Sequence, residues 1–148
     1  MRSLLPLLLV ACLEPTLEVG TGVDAFTPLH DGDDLPLVAG PQGGHHVWGA
    51  LRATDVDPGD PYDFAARDNP LLSMTLQRDG DILGGFRNLP RGLFPTDDGA
   101  FIRTGETVIL GMDPSVADGL DVDLVMELLD ARGTALTARI RGTLRYQP

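Results

Sequence analysis

The chain has one cysteine, no lysine, few aromatic residues and few serines. Each shortage excludes something. A lone cysteine, Cys12, permits no disulfide within a monomer and no Cys-x-x-Cys redox or metal pair. All eleven basic residues are arginine, and a formal net charge of −11 at pH 7 leaves no clustered positive charge for gripping nucleic acid or anionic lipid. Nucleic acid is therefore not an expected partner. Beyond Ser3 the only serines are Ser73 and Ser115, and neither sits in a G-x-S-x-G elbow. No G-x-x-x-x-G-K phosphate loop and no H-E-x-x-H helix occurs. Carboxylates are plentiful, but number without a pocket defines no acid-base pair. The expectation is a protein that is not an enzyme and needs no cofactor.

The opening residues, MRSLLPLLLVAC, carry one basic residue, Arg2, and then an apolar stretch from Leu4 to Ala11 that stops at Cys12. A transmembrane helix needs about 20 apolar residues, so this stretch is too short to span and has the form of a removable signal. Leu9-Val10-Ala11-Cys12 resembles the lipobox of bacterial lipoproteins. The resemblance implies that the bond before Cys12 is cut and that the cysteine is acylated. Several acyl chains, each worth about 0.8 kcal/mol per buried CH₂, make a stable anchor. Residues 1–11 are then a signal peptide, and the protein is held at the bacterial envelope, on the outer membrane or a periplasmic face. Without Arg2 the charge moves from −11 to −12.

Residues 12–24 lack sustained periodicity and carry Pro15, Gly20 and Gly22, which reads as a lipidated N-terminus with a tether. From residue 25 to 148, short apolar runs alternate with turn signals and no long 3.6-residue pattern appears. That spacing predicts one all-β domain, an immunoglobulin-like or related antiparallel β-sandwich. Strands are expected near 25–29, 35–39, 45–53, 71–77, 82–89, 100–103, 107–112, 122–130 and 134–145, with one helical turn in Asp113–Gly119. The last two strands alternate apolar and polar residues, and a three-residue loop ending in Gly133 sets a register that places Asp123 opposite Arg141. Asp79-Gly80 has the composition of a type I′ turn.

Three stretches are candidates for binding. GPQGGHHVWGALR, residues 40–52, pairs two histidines with the only tryptophan. Successive side chains of an extended strand point to opposite faces, so His45 and His46 do not readily share one ion, and the stretch reads as a turn and core strand with Trp48 buried. The pattern Gly40-Pro41-Gln42-Gly43-Gly44-x-His46-x-Trp48 is similar to one in uncharacterised envelope lipoproteins, which implies no activity. A metal alternative, with copper or calcium, draws on His30 meeting His46 across a sheet, or on Asp55, Asp57, Asp60 and Asp63 in a loop that lacks the EF-hand spacing. The third stretch, GGFRNLPRGLFP, projects Phe86, Arg87, Arg91, Leu93 and Phe94, a mixed apolar and basic surface suited to a protein or glycan partner in the envelope. The function expected is that of a membrane-anchored envelope lipoprotein with a non-catalytic β-sandwich that binds or supports.

Cys12→Ser should abolish acylation and processing. Mass spectrometry of the membrane fraction is expected to find the wild type acylated and starting at Cys12; a wild-type chain that keeps Met1 and carries no lipid refutes the anchor.

Overall fold

A computed structural model describes residues 13–148; the expected signal peptide, residues 1–11, and the expected lipidation site Cys12 lie outside the described residues. Ten strands form: β1 Thr16–Thr21, β2 Thr27–Pro28, β3 Asp34–Ala39, β4 His45–Thr54, β5 Leu71–Arg78, β6 Asp81–Pro90, β7 Phe94–Pro95, β8 Phe101–Leu110, β9 Asp121–Leu129 and β10 Ala135–Gln147. One helical turn, α1 (Pro114–Ala117), joins β8 to β9; the Asp113 side chain caps it by accepting from the Ser115 N–H, and Pro114 pre-sets the first φ. Among the described residues no helix is long and apolar enough to cross a membrane.

The strands run in the order β2-β1-β4-β3-β10-β9-β5-β6-β8-β7, and β4 also pairs with β8, so the sheet closes on itself. The domain is all-β and barrel-like. Closure is uneven, because β3 and β4 share two residue pairs and β6 and β8 share one, Gly84 with Leu110. These two short seams divide the sheet into halves, β2-β1-β4-β8-β7 and β3-β10-β9-β5-β6. The halves face one another over a common core. Every pairing is antiparallel except β3 with β10.

Alternation makes the core. Val122, Leu124, Met126 and Leu128 of β9 point inward, as do Leu72, Met74 and Leu76 of β5, Leu35 and Leu37 of β3, and Val47, Leu51 and Ala53 of β4. At about 25 cal/mol per Å² of apolar surface, each buried leucine contributes about 2 kcal/mol. The seam between β6 and β8 depends on Gly84, where a Cβ would lie 2.1 Å from the Ile109 carbonyl oxygen. Only a residue without a side chain lets the two backbones approach so closely.

The register of the last hairpin is the expected one, with Asp123 opposite Arg141. Asp79 and Gly80 both have positive φ, 52° and 90°, as a type I′ turn requires. Three expectations change. Thr16–Thr21, expected within a tether, is strand β1, paired with β4 from Thr16↔Thr54 to Gly20↔Ala50. Its inward positions, Leu17 and Val19, are too few to establish a period in the sequence, and pairing with an already ordered strand supplies the rest. The strands expected at 100–103 and 107–112 are one strand, β8, carried past Gly105 at φ 70°. The strand expected at 25–29 shrinks to the two residues of β2 at the sheet edge.

One buried carboxylate ties the lower loops together. Asp130, whose side chain is fully buried, accepts from the N–H groups of Asp57 (2.8 Å), Arg132 (3.0 Å) and Thr134 (2.8 Å). Burial pushes its pKa up, but the Asp57 and Thr134 backbone donors, with that of Arg132, outweigh it and hold the carboxyl below the ordinary carboxylate value. A folded pKa below the unfolded one gives stability that is complete above about pH 4 and is lost as pH falls through the lowered value. Asp130→Ala should cost about 3 kcal/mol at pH 7, since it orphans several backbone donors. Urea unfolding at pH 7 and pH 3 checks both statements: the gap between wild type and variant should narrow in acid, and a gap that does not depend on pH contradicts this role.

Candidate binding site

The Gly40–Gly44 turn links β3 to β4 at the upper end of the barrel. Its backbone folds back on itself, the Gly40 N–H donating to Gly44 O at 2.6 Å and the Gly43 N–H to Gly40 O at 3.1 Å, with Gly43 at φ 84°. A turn this tight delivers the chain into β4 with His45 opposite Ala39 and His46 opposite Val38. The turn residues Gly40, Pro41, Gln42 and Gly44, together with His45 and His46 and with Thr107 and Ile109 of β8, line a recess of about 240 Å³. Ile109, directly opposite His46, is more than half exposed.

His46 is 6% exposed, and its Nε2 has no hydrogen-bond partner. Leaving a buried polar atom unpaired costs about 1–3 kcal/mol, so an orphan of this kind is itself a pointer to a site. Burial lowers the His46 pKa below its ordinary 6.5, and repulsion from His45 lowers it further. The imidazole is neutral at pH 7 and offers one donor and one acceptor. Its ring meets Trp48 edge to face, with centroids 4.5 Å apart and planes at 84°. His45 also borders the recess, but its ring packs against Tyr146 at 5.4 Å and not against Trp48. Adjacent histidines on a strand therefore diverge, as pleating requires. Trp48 departs from expectation. It is partly exposed on the outer face beside His46, because the core face of β4 belongs to Val47, Leu51 and Ala53.

His30 is exposed, its ring 3.8 Å from the Asp33 carboxylate. Asp33 immediately precedes β3, whereas His46 faces Val38 near the other end of that strand. Five residue steps at about 3.3 Å each put roughly 16 Å of strand between the two, so the expected meeting of His30 with His46 does not occur. The aspartates of residues 55–63 do a different job. Asp57 accepts from the Gly59 N–H, Asp60 from the Tyr62 N–H and Asp63 from the Ala65 N–H, while the Asp55 carbonyl accepts from Arg132. These are turn-forming bonds within the loop. Among the described residues no three His, Cys, Asp or Glu side chains converge to hold a metal.

Nor do the residues of the glycine-rich stretch form one surface. Leu93 is a core residue, 1% exposed, and Phe86 packs against the core; both are therefore withdrawn from the expected binding face. Arg87 is exposed on its own. Arg91 and Phe94 belong to a cluster on the flank of the lower end. Glu106 accepts from Arg91 at 3.2 Å and from Arg103 at 2.6 Å. Both guanidinium groups lie against the Phe64 ring, at 5.5 and 5.7 Å, and Tyr62 stands edge-on to Phe94 at 5.4 Å. Tyr62, Phe64, Arg103 and Glu106 were not singled out by sequence. The only signal was the aromatic pair in the otherwise acidic turn DPYDF.

No family model matches the sequence, and no curated protein matches it. Two solved structures show likeness. CopC from Methylosinus trichosporium OB3b aligns over 80% of this chain and 87% of its own, with 11% identity and a TM-score of 0.33. The CooA pilin subunit from enterotoxigenic Escherichia coli aligns over 88% of this chain and 99% of its own, with 10% identity and a TM-score of 0.32. Likeness at that level assigns no ligand.

Because His46 has a folded pKa below its unfolded value, its contribution to stability is complete above pH 6.5 and declines as pH falls toward the lowered value. Protonation of a ring in contact with the only tryptophan should quench its emission. A fluorescence titration of Trp48 is expected to show a midpoint below 6.5 that His46→Gln removes. A midpoint at or above 6.5 contradicts a desolvated, neutral imidazole.

Proposed function

We propose that this chain is a lipid-anchored protein of the bacterial envelope whose β-domain is a non-catalytic binding module, with the His46 recess as its ligand site. The observation that carries the reading is that His46, whose buried Nε2 has no partner, is one of the residues lining an apolar recess. The lipobox residues Leu9 to Cys12 support the anchor. No carboxylate lines the recess to orient the imidazole, and the one hydroxyl there is that of Thr107. A neutral histidine without a nucleophile or an orienting acid binds rather than reacts. The ligand class that fits is a small group with an apolar body and a single hydrogen-bonding atom, such as a side chain or end group of an envelope protein or glycan. The start of β1 and the recess lie at opposite ends of β4, since Thr16 pairs with Thr54 and His46 is the second residue of the strand. A span of eight residues at about 3.3 Å per residue would display the recess some 26 Å beyond the end from which an anchored N-terminus leaves the barrel.

Protein released from membranes without chelators, studied by native mass spectrometry and elemental analysis, tests the reading. A copurifying organic mass that His46→Leu releases supports it. A stoichiometric copper or zinc ion lost in the same variant favours the metal alternative. A wild type that carries neither, and whose Trp48 emission does not respond to peptidoglycan or glycan fragments, overturns the proposal.

A further inference from the structure

The lower end of the barrel carries an apolar surface of its own. Tyr62 is 84% exposed and Phe64 59%, which is unusual for the two aromatic residues of a loop otherwise closed by its own hydrogen bonds. That loop is rigidly held. The Asp60 N–H donates to Asn69 Oδ1 at 2.8 Å, Asn69 Nδ2 donates to Asp63 O at 2.6 Å, Asp57 is tied to Asp130, and the Leu93 N–H reaches Pro58 O at 2.8 Å. Leu71 and Leu129, paired across β5 and β9 at the same end, are also exposed, as is Leu13. Preorganised exposed aromatics and leucines signal a surface made to be covered.

The chain itself says by what. β1 begins at Thr16, whose hydroxyl lies 2.6 Å from that of Thr54, the residue at which β4 ends and the loop bearing Tyr62 and Phe64 starts. Only Leu13, Glu14 and Pro15 separate Thr16 from Cys12. Four Cα steps reach at most about 14 Å. If Cys12 carries the acyl chains, the strand has no tether to lift it, and this end of the barrel is confined to the headgroup region. From Leu17, the strand pairings lead through Ala53 and Phe101 to the neighbouring Phe94, on which Tyr62 rests, three strands away and so about 15 Å to the side at about 4.8 Å per strand. Arg91 and Arg103 back the Phe64 ring and are themselves fixed by Glu106, which keeps the ring turned outward.

Resting on the lipid anchor of the proposed function, we infer that Tyr62, Phe64, Leu71 and Leu129 form a membrane-resting face that docks the lower end of the barrel on the bilayer and points the His46 recess outward. Tyrosine, phenylalanine and leucine suit the headgroup boundary. With the acyl chains already inserted, docking is intramolecular and weak contacts suffice. The surrounding acidic residues give anionic lipid no advantage, so the contact is with zwitterionic headgroups.

The test uses the full chain recovered from membranes and reconstituted in phosphatidylcholine vesicles brominated near the top of the acyl chains. Phe64→Trp in a Trp48→Phe background places the reporter on the face; Tyr62→Trp in the same background is the second reporter; the wild type, with Trp48 alone, reports on the distal end. The mass of each preparation is read on the same sample. The reporters at 64 and 62 should be blue-shifted and should lose intensity to bromine, while Trp48 should be unaffected. An acylated chain whose reporters at both positions ignore bromine, or whose Trp48 is quenched as strongly, overturns the docking face and leaves the anchor intact. An unacylated chain overturns the anchor, and the docking face with it.

Discussion

The loops of this domain depend on aspartate carboxylates accepting backbone N–H groups, and Asp130 is the one on which the others rest. Its oxygens reach across from the β9–β10 turn to the Asp57 N–H and so fix where the long loop after β4 begins. Within that loop Asp57, Asp60 and Asp63 each close a turn, and the buried Asn69 closes the whole. The same chemistry recurs at Asp113, which caps α1, and at Asp98, whose carboxylate, bonded to Thr96, Arg52 and the Ala100 N–H, is held at a pKa of about 2. An acidic chain with no lysine thus has a structural use for its charge. At Asp98, Asp113 and Asp130 the donors also hold the carboxyl below its ordinary pKa.

The strands were legible in the sequence because alternation and turn chemistry agreed. The β9–β10 hairpin illustrates this: Gly133 at φ 86° and a face of valine, leucine and methionine leave one register open, and the residue pairs follow it from end to end. β1 was not legible, since six residues with two inward apolar side chains are a strand only when β4 is beside them. The sheet closure was illegible for the same reason. Nothing local in Gly84 announces that the Ile109 carbonyl will lie against it.

The candidate site was half legible. The GPQGG turn and the divergence of His45 from His46 follow from glycine and pleating, whereas the exposure of Trp48 does not, because a lone tryptophan is by composition a core residue. Its place is decided by the neighbours that take the inner face first. The Arg91–Glu106–Arg103 cluster joins residues from β8 and from the segment after β6, elements that pair only at Gly84. Contacts between elements that are not hydrogen-bonded leave no periodic trace in a sequence.

The pairing of β1 with β4 has a mechanical side. The two strands are antiparallel, so the start of β1 and the start of β4 lie at opposite ends of the barrel. If the N-terminus is held at a membrane and the recess grips its ligand, as proposed, tension between them would pull these two starts apart along the strand axis. Five residue pairs would then be loaded together, in shear, instead of peeling open one after another. A domain hung in this way resists a tug along its own length far better than one sideways to it.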